Sequence, residues 1–409
     1  MPVQKNIITE RMLKIAGLLQ EHRIEIPFTI ELSPDISIIY NAFIKHNKKL
    51  FLVGGAVRDA IMGIKPKDFD LVTVALPDEV MKILSSEKIK SFPKGESFGV
   101  ISAIINGEEY EIATFRSESY EGGDGRRPSS IGFADMEQDS KRRDLTVNAL
   151  YYDIKDKKII DFHNGIEAIK NKQVKTVGSP MEIFTQDRLR VLRALRFAHR
   201  FGSKLDIETI QAIKHFKDLP GVSNERIRDE FLRGLKSAIN VKDFLEQYTQ
   251  LGLLERTFPG ITLDKYFVPN VKNPWLIIAK IVSNNSYDKI LKSLNEAKYQ
   301  KFEPDTIIFL VKLKNRFQQF DKFSFDTLLD GKWLISLTND KLTIEKGGLI
   351  SKEDVETWAS IFNIKKRIID GFMTFKPSVS ASNFPDLKQG VELGNKITQA
   401  NAELFLKLI

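Results

Sequence analysis

Asp68 and Asp70 flank Phe69 at the head of the apolar run Leu71-Val72-Thr73-Val74. Side chains alternate along an extended strand, so both carboxylates share one face and Phe69 turns to the other, toward a core. Carboxylates that close raise each other's pKa unless a cation neutralises them, and hard oxygen donors suit Mg²⁺ with substrate phosphates completing its octahedron. An isolated Asp-x-Asp is usually a solvated turn. Here Gly54-Gly55-Ala56-Val57-Arg58-Asp59 stands just upstream. A glycine turn opening a helix at Gly55 offers backbone N–H groups, and Arg58 offers a cation for phosphate. Downstream, alternation through Tyr110–Arg116 puts Glu109, Glu111 and Ala113 on one face. A third carboxylate on a neighbouring strand is what a two-metal site wants. Glu111 is the preferred one, with Glu109 its competitor. A phosphate cradle beside a metal pair implies phosphoryl or nucleotidyl transfer.

The elements that must position these groups are legible in outline. Helices are expected around Arg11–Gln20 and Ile36–Ile44, then a short strand, Leu50–Val53, running into Gly54-Gly55. Strand-like runs follow at Asp68–Val74, Gly99–Ile105, Glu108–Phe115 and Ala149–Ile154, with a helix at Asp78–Leu84. This predicts an α/β or α+β domain to about Asp153. The stretch from Arg116 to Arg142 is long, polar and glycine-rich, a candidate lid. After about Ile160 the period becomes helical, with Val191, Ala194, Leu195, Ala198 and Phe201 on one stripe. The second half reads as all-α, broken at Pro259, Pro269, Pro274, Pro304, Pro377 and Pro385.

With 409 residues the chain is long enough for about two or three domains. Its 62 Lys+Arg against 54 Asp+Glu give a net charge of +8, which suits a polyanionic partner without proving one. The absence of Cys excludes disulfides, thiolate metal sites and Cys nucleophiles, and the five His show no metal-ligand spacing. No apolar run approaches the length of a membrane span and the first residues form no signal core, so a soluble, cytoplasmic protein is expected.

Five motifs occur in a defined order: Gly54–Asp59, Asp68–Asp70, Asp124-Gly125-Arg126-Arg127-Pro128, Arg142-Arg143-Asp144-Leu145-Thr146-Val147-Asn148-Ala149-Leu150, and Asp187-Arg188-Leu189-Arg190. In this the chain resembles the bacterial-type (class II) tRNA nucleotidyltransferases and poly(A) polymerases, closely from about residue 45 to 235 and weakly beyond. The resemblance implies an α+β fold, a polymerase-β-like nucleotidyltransferase head followed by an all-α neck, body and tail. The boundaries expected are 1–45 for an N-terminal helical extension, 46–153 for the catalytic head, 154–235 for a neck that recognises the base, and 236–409 for a body and tail that bind tRNA. The implied activity is template-free addition of CCA to the tRNA 3′ end from CTP and ATP, with two Mg²⁺ ions held by Asp68 and Asp70. The partner is the acceptor and T-arm half of tRNA, and a monomer is favoured.

The same resemblance assigns residues to the nucleotide. Arg143, Asp144 and Asn148 match the motif used for the sugar; Asp144 and Asn148, spaced i, i+4 near an expected helix start, would share a face. Asp187 and Arg190, i, i+3 on an expected helix, can read a base edge together. The carboxylate accepts from the amino group of cytosine or adenine while Arg donates to the adjacent ring nitrogen, and uracil and guanine reverse both signs. Arg193 and Arg196 belong to this set by resemblance, although a helical wheel alone sends Arg193, Arg196 and Arg200 to the opposite arc. Gly125 and Arg126 match a flexible loop whose glycine permits a hinge. Glu225-Arg226-Ile227-Arg228-Asp229-Glu230, after Ser223 and Asn224, reads as an N-capped helix bracing the neck. One departure is Gln186, where the family usually carries the Glu that orients the base-reading Arg. Three rivals remain: a poly(A) polymerase, an enzyme that adds only A, and a catalytically silent RNA-binding protein.

Overall fold

The computed structural model describes residues 23–66, 68–94, 99–119, 129–264, 271–318 and 332–409. The helix expected at Arg11–Gln20, the loop residues Gly125 and Arg126, and Pro269 lie outside them. Two compact units divide between Gly221 and Val222.

The first unit is built on an eight-stranded sheet. In chain order its strands are β1 (Ile24–Pro27), β2 (Leu50–Val53), β3 (Asp70–Thr73), β4 (Lys90–Pro93), β5 (Val100–Ile105), β6 (Glu108–Thr114), β9 (Leu150–Asp153) and β10 (Lys158–Asp161). Their spatial order is β1-β10-β9-β2-β3-β6-β5-β4. Only β3 and β6 pair in parallel; every other neighbour is antiparallel. β2 is buried along its whole length, as its unbroken apolar run requires. Leu50, Leu52, Leu71, Ile101 and Ile112 face helices α1 (Pro34–Lys45) and α3 (Pro77–Ser86), meeting Ile39, Phe43, Val80 and Leu84, and Phe69 packs at the edge of this core. Phe51, Val53, Val72, Phe115 and Tyr151 form a second core on the opposite face. Asp70 lies two residues from Val72 and so shares that second face.

Several boundaries differ from expectation. β1 pairs with β10, Ile24 opposite Asp161, so the sheet takes strands from both sides of the 46–153 segment and its first strand lies within the expected helical extension. The 116–142 stretch is not one loop. It holds a hairpin, β7 (Arg116–Ser119) with β8 (Ser130–Phe133), followed by helix α4 (Met136–Lys141), whose N-cap Asp135 accepts from Gln138 N. Beyond Ile160 the chain is not purely helical. After α5 (Gly165–Lys170), β11 (Gln173–Val174) pairs in parallel with β12 (Lys204–Leu205) around α6 (Pro180–Gln186) and α7 (Leu189–Phe201). The unit closes with α8 (Ile207–His215).

The described part of the second unit is helical. Its first helix, α9 (Asn224–Ser237), begins after the N-cap Ser223, although that hydroxyl makes no capping bond. This helix falls with the C-terminal unit, which begins at Val222. Pro274 and Pro304 do not break helices; they sit in the first turns of α12 (Pro274–Val282) and α14 (Phe302–Phe317), where the missing N–H costs nothing. Trp358 is wholly buried and donates to Leu310 O at 2.7 Å. Among the described residues no helix is long and apolar enough to cross a membrane.

Candidate active site

Parallel pairing of β3 with β6 sets the first half of the site. Leu71 lies opposite Ile112 and Val72 opposite Ala113, so one step back Asp70 stands beside Glu111 on the same face. Asp68 precedes the strand and is exposed. Although the Asp70 side chain reaches solvent, the atoms packed around it push its carboxyl up, and Glu111 and Asp68 push the same way against Arg143 and Arg58. Of the two candidates for the third carboxylate, Glu111 is thus the one whose charge acts on Asp70. Glu109 is turned to Ser102 Oγ and Lys94 Nζ, each at 2.7 Å, and Lys94 Nζ also lies 2.7 Å from Glu111.

The turn from β2 into α2 (Gly55–Ile61) lies next to them. The left-handed backbone belongs to Gly54 (φ 71°), whose N–H bonds Leu150 O at 2.9 Å. A Cβ there would stand 3.5 Å from Asn148 O and 3.7 Å from Arg143 Nη1. Gly55 begins the helix proper. Arg58 is nearly buried: it donates to Asn148 Oδ1 and to Asp59 (2.8 Å), and its guanidinium lies over the rings of Phe197 and Phe201. In this arrangement it braces the turn and Asn148 rather than facing open solvent.

Arg143 follows α4 and is anchored by two groups that sequence reasoning missed. Asp139, fully buried, takes Arg143 Nη2 at 3.0 Å and Arg142 Nη2 at 2.8 Å, and Tyr151 donates to it at 2.7 Å while accepting from Arg143 Nε at 2.9 Å. Burial alone would raise the Asp139 carboxyl, but Arg143 and Arg142 outweigh it and hold it down. The signal was present in the i, i+3 and i, i+4 spacing from Asp139 to the Arg pair.

Asp144 and Asn148 meet as the spacing predicts, with Asn148 Nδ2 donating to Asp144 Oδ1 at 3.3 Å. The element between them is a single 3-10 turn, Thr146–Asn148, and not the start of a long helix. Asp144 is buried. Burial would raise its carboxyl, but Arg193, donating from Nε at 2.7 Å, and Arg190 hold it down at about 2. Arg193 is therefore paired within the site and not on a solvated arc, and Arg196 is buried with its guanidinium 4.2 Å from the Phe197 ring centroid.

Asp187 is not on one helix with Arg190. It caps the C-terminus of α6, and its carboxylate accepts from Leu189 N at 3.0 Å at the break into α7. Arg190 is fixed by Gln186 Oε1 (2.7 Å) and by the carbonyl of Arg142 (2.8 Å). The neutral Gln186 amide thus supplies the acceptor that a carboxylate would supply, without its charge.

The acidic groups fit a hard divalent cation: oxygen donors, no thiol in the chain, and a carboxyl pushed up by its neighbours. Among the described residues no three acidic or imidazole side chains converge closely enough to hold a metal ion by themselves. Nucleotide phosphates are the natural source of the remaining oxygens.

The site thus lies on a mixed sheet, with Asp70 and Glu111 near a glycine turn and a buried Asp–Arg constellation around Asp139 and Asp144. Residues 50–175 match the family described as "Poly A polymerase head domain", and residues 202–264 match "Probable RNA and SrmB- binding site of polymerase A". These two matches lie one after the other along the chain, the head domain first and the RNA-binding region after it. It is 39% identical over 213 residues to the CCA-adding enzyme of Bacillus cytotoxicus, covering 49% of this chain and 52% of that protein. Against that of Bacillus mycoides it is 29% identical over 390 residues, covering 78% and 96%. The matches to the Bacillus cytotoxicus, Lactobacillus helveticus and Staphylococcus epidermidis proteins span 52%, 45% and 48% of their lengths, so the chain spans about half the length of these curated relatives. In fold it is similar to the Bacillus stearothermophilus CCA-adding enzyme in complex with CTP (TM-score 0.65, 22% identity, 92% and 94% covered). It is likewise similar to the Thermotoga maritima CCA-adding enzyme complexed with tRNA_CCA (TM-score 0.64, 17% identity, 94% and 95% covered).

Proposed function

We propose that this protein is a template-independent nucleotidyltransferase that adds C, C and A to the 3′ end of tRNA from CTP and ATP, releasing pyrophosphate. The observation that carries the reading is the juxtaposition of Asp70 with Glu111 across the parallel β3–β6 pair, within the field of Arg143 and Arg58. The relatives named above are CCA-adding enzymes, and the solved neighbours include complexes with CTP and with tRNA.

In this reading Asp68 and Asp70 would hold Mg²⁺, which would supply Lewis-acid stabilisation of the attacking 3′-hydroxyl and of the pyrophosphate charge. The protein's own part is positioning and electrostatics. Glu111 presents a third carboxylate on the side of the attacking hydroxyl. Arg143, locked by Asp139 and Tyr151, sets a fixed positive charge opposite Asp70. Asp144 stays ionised and offers acceptor oxygens to ribose hydroxyls, with Asn148 beside it and Arg193 as its counter-charge. Arg190, held by Gln186, donates to the base while the Asp187 carboxylate accepts from the exocyclic amine of C or A. Uracil or guanine would leave both groups unsatisfied in a desolvated site. Arg196 completes the basic wall. The tRNA partner is expected to be read by shape and phosphate contacts through its acceptor and T-arm half.

The test is a product ladder. The purified protein is incubated with Mg²⁺, each nucleoside triphosphate singly and together, and tRNA transcripts lacking their last three, two or one nucleotides. Stepwise C, C, A followed by a halt is expected. A single A added only to transcripts lacking the last nucleotide would make it an A-only enzyme, long A tails would place it with the poly(A) polymerases, and no extension of any RNA would overturn the enzymatic reading.

A further inference from the structure

Lys94 is the one described cation in direct contact with the third carboxylate, and the reading above leaves it without a role. It stands at the end of the edge strand β4, where its backbone N–H is tied to Val100 O at 2.9 Å. From there its side chain reaches across β5 to β6, where the ammonium bridges Glu109 Oε1 and Glu111 Oε1 at 2.7 Å each. The two acceptors are not equivalent. Glu109 also receives Ser102 Oγ at 2.7 Å, so it has a second donor keeping its carboxylate in place, whereas Glu111 is held by the Lys94 ammonium. All three charged side chains are between 39% and 48% exposed, and exposed ion pairs of this kind are weak and exchangeable.

We propose that Lys94 is a positioning residue for Glu111: in the free protein its ammonium holds that carboxylate, and Glu109 retains the ammonium when Glu111 turns to serve the metal and the primer hydroxyl. The inference rests on the nucleotidyltransferase reading and deepens it. It gives the second acidic residue of β6 a task, that of parking a cation which would otherwise compete with the divalent ion for Glu111.

The test is a titration of the full chain with Mn²⁺ at fixed ionic strength, following free Mn²⁺ by electron paramagnetic resonance. Lys94→Met is expected to bind Mn²⁺ about three- to tenfold more tightly, the gain from removing a unit charge in contact with a ligand at near-surface dielectric. Lys94→Arg, which can still bridge both carboxylates, should return to wild-type affinity. Lys90→Met removes the same charge from the same exposed strand without the contact and should change nothing. Equal affinity in wild type and Lys94→Met, or equal tightening in Lys90→Met and Lys94→Met, would overturn the inference while leaving the nucleotidyltransferase reading standing. If Asp70→Ala bound Mn²⁺ as well as wild type, the metal site itself would be misplaced and both would fall.

Discussion

At the scale of single residues, the buried carboxylates of the site, Asp139 and Asp144, are each answered by arginines. Asp144 shows this most plainly. Its carboxyl is desolvated, yet Arg193 and Arg190 keep it ionised down to about 2. Because its folded-state value lies below that of an unfolded Asp, near 3.8, it contributes stability that is present above that value and lost as pH falls from about 4 toward 2. Asp144→Asn should therefore cost about 3–5 kcal/mol in urea unfolding at pH 7, because it removes a buried carboxylate whose charge answers Arg193 and Arg190. The difference from wild type should shrink at acid pH. A variant as stable as wild type at pH 7 would contradict the assignment. Sequence alone pointed to Asp144 and Asn148 through spacing and resemblance together, and to Arg190 and Arg193 through resemblance, in the case of Arg193 against its place on the helical wheel. It did not point to Asp139 or Tyr151. An Asp in a short polar helix looks solvated until tertiary packing buries it, and the strand Tyr looks like core until its hydroxyl is seen to find a partner.

At the scale of elements, strands inside the sheet were legible and those at its margins were not. β2, β3, β5, β6 and β9 carry apolar runs or clean alternation, and the expected spans fall within two residues of the observed ends. β1, β4, β7, β8 and β10 are four residues each, and β1 pairs with β10 across more than a hundred residues of chain, which no local period encodes. The break between α6 and α7 was also missed, because the apolar stripe continues through it. That break places Gln186 at the end of one helix and Arg190 in the first turn of the next, with 2.7 Å between Oε1 and Nη1. Gln186→Ala should free Arg190 and lower discrimination of CTP over UTP by about tenfold, a loss on the order of one hydrogen bond to a charged group. Gln186→Glu should leave it intact or improve it. Single-nucleotide incorporation kinetics with each triphosphate would show this, and unchanged selectivity in Gln186→Ala would remove Gln186 from the account.

At the scale of the whole molecule, the net charge of +8 and the largely helical second unit fit an electrostatic, sequence-independent grip on RNA. If phosphate contacts dominate, log affinity for tRNA should fall linearly with log salt, losing about tenfold or more between 50 and 200 mM. Fluorescence anisotropy with labelled tRNA would measure it, and affinity indifferent to salt would argue against phosphate-led recognition.

The central claim, that Asp70 beside Glu111 on the parallel strand pair is the centre of nucleotidyl transfer, is most directly tested by single-turnover transfer of labelled CTP to tRNA lacking its terminal CCA, comparing wild type with a folded Asp70→Ala variant. The variant is expected to lose about a thousandfold or more in rate while its thermal unfolding is unchanged or slightly raised, since a carboxyl pushed up by its surroundings is a mild burden on the folded state at neutral pH. Transfer within about tenfold of wild type by a folded Asp70→Ala protein would contradict it.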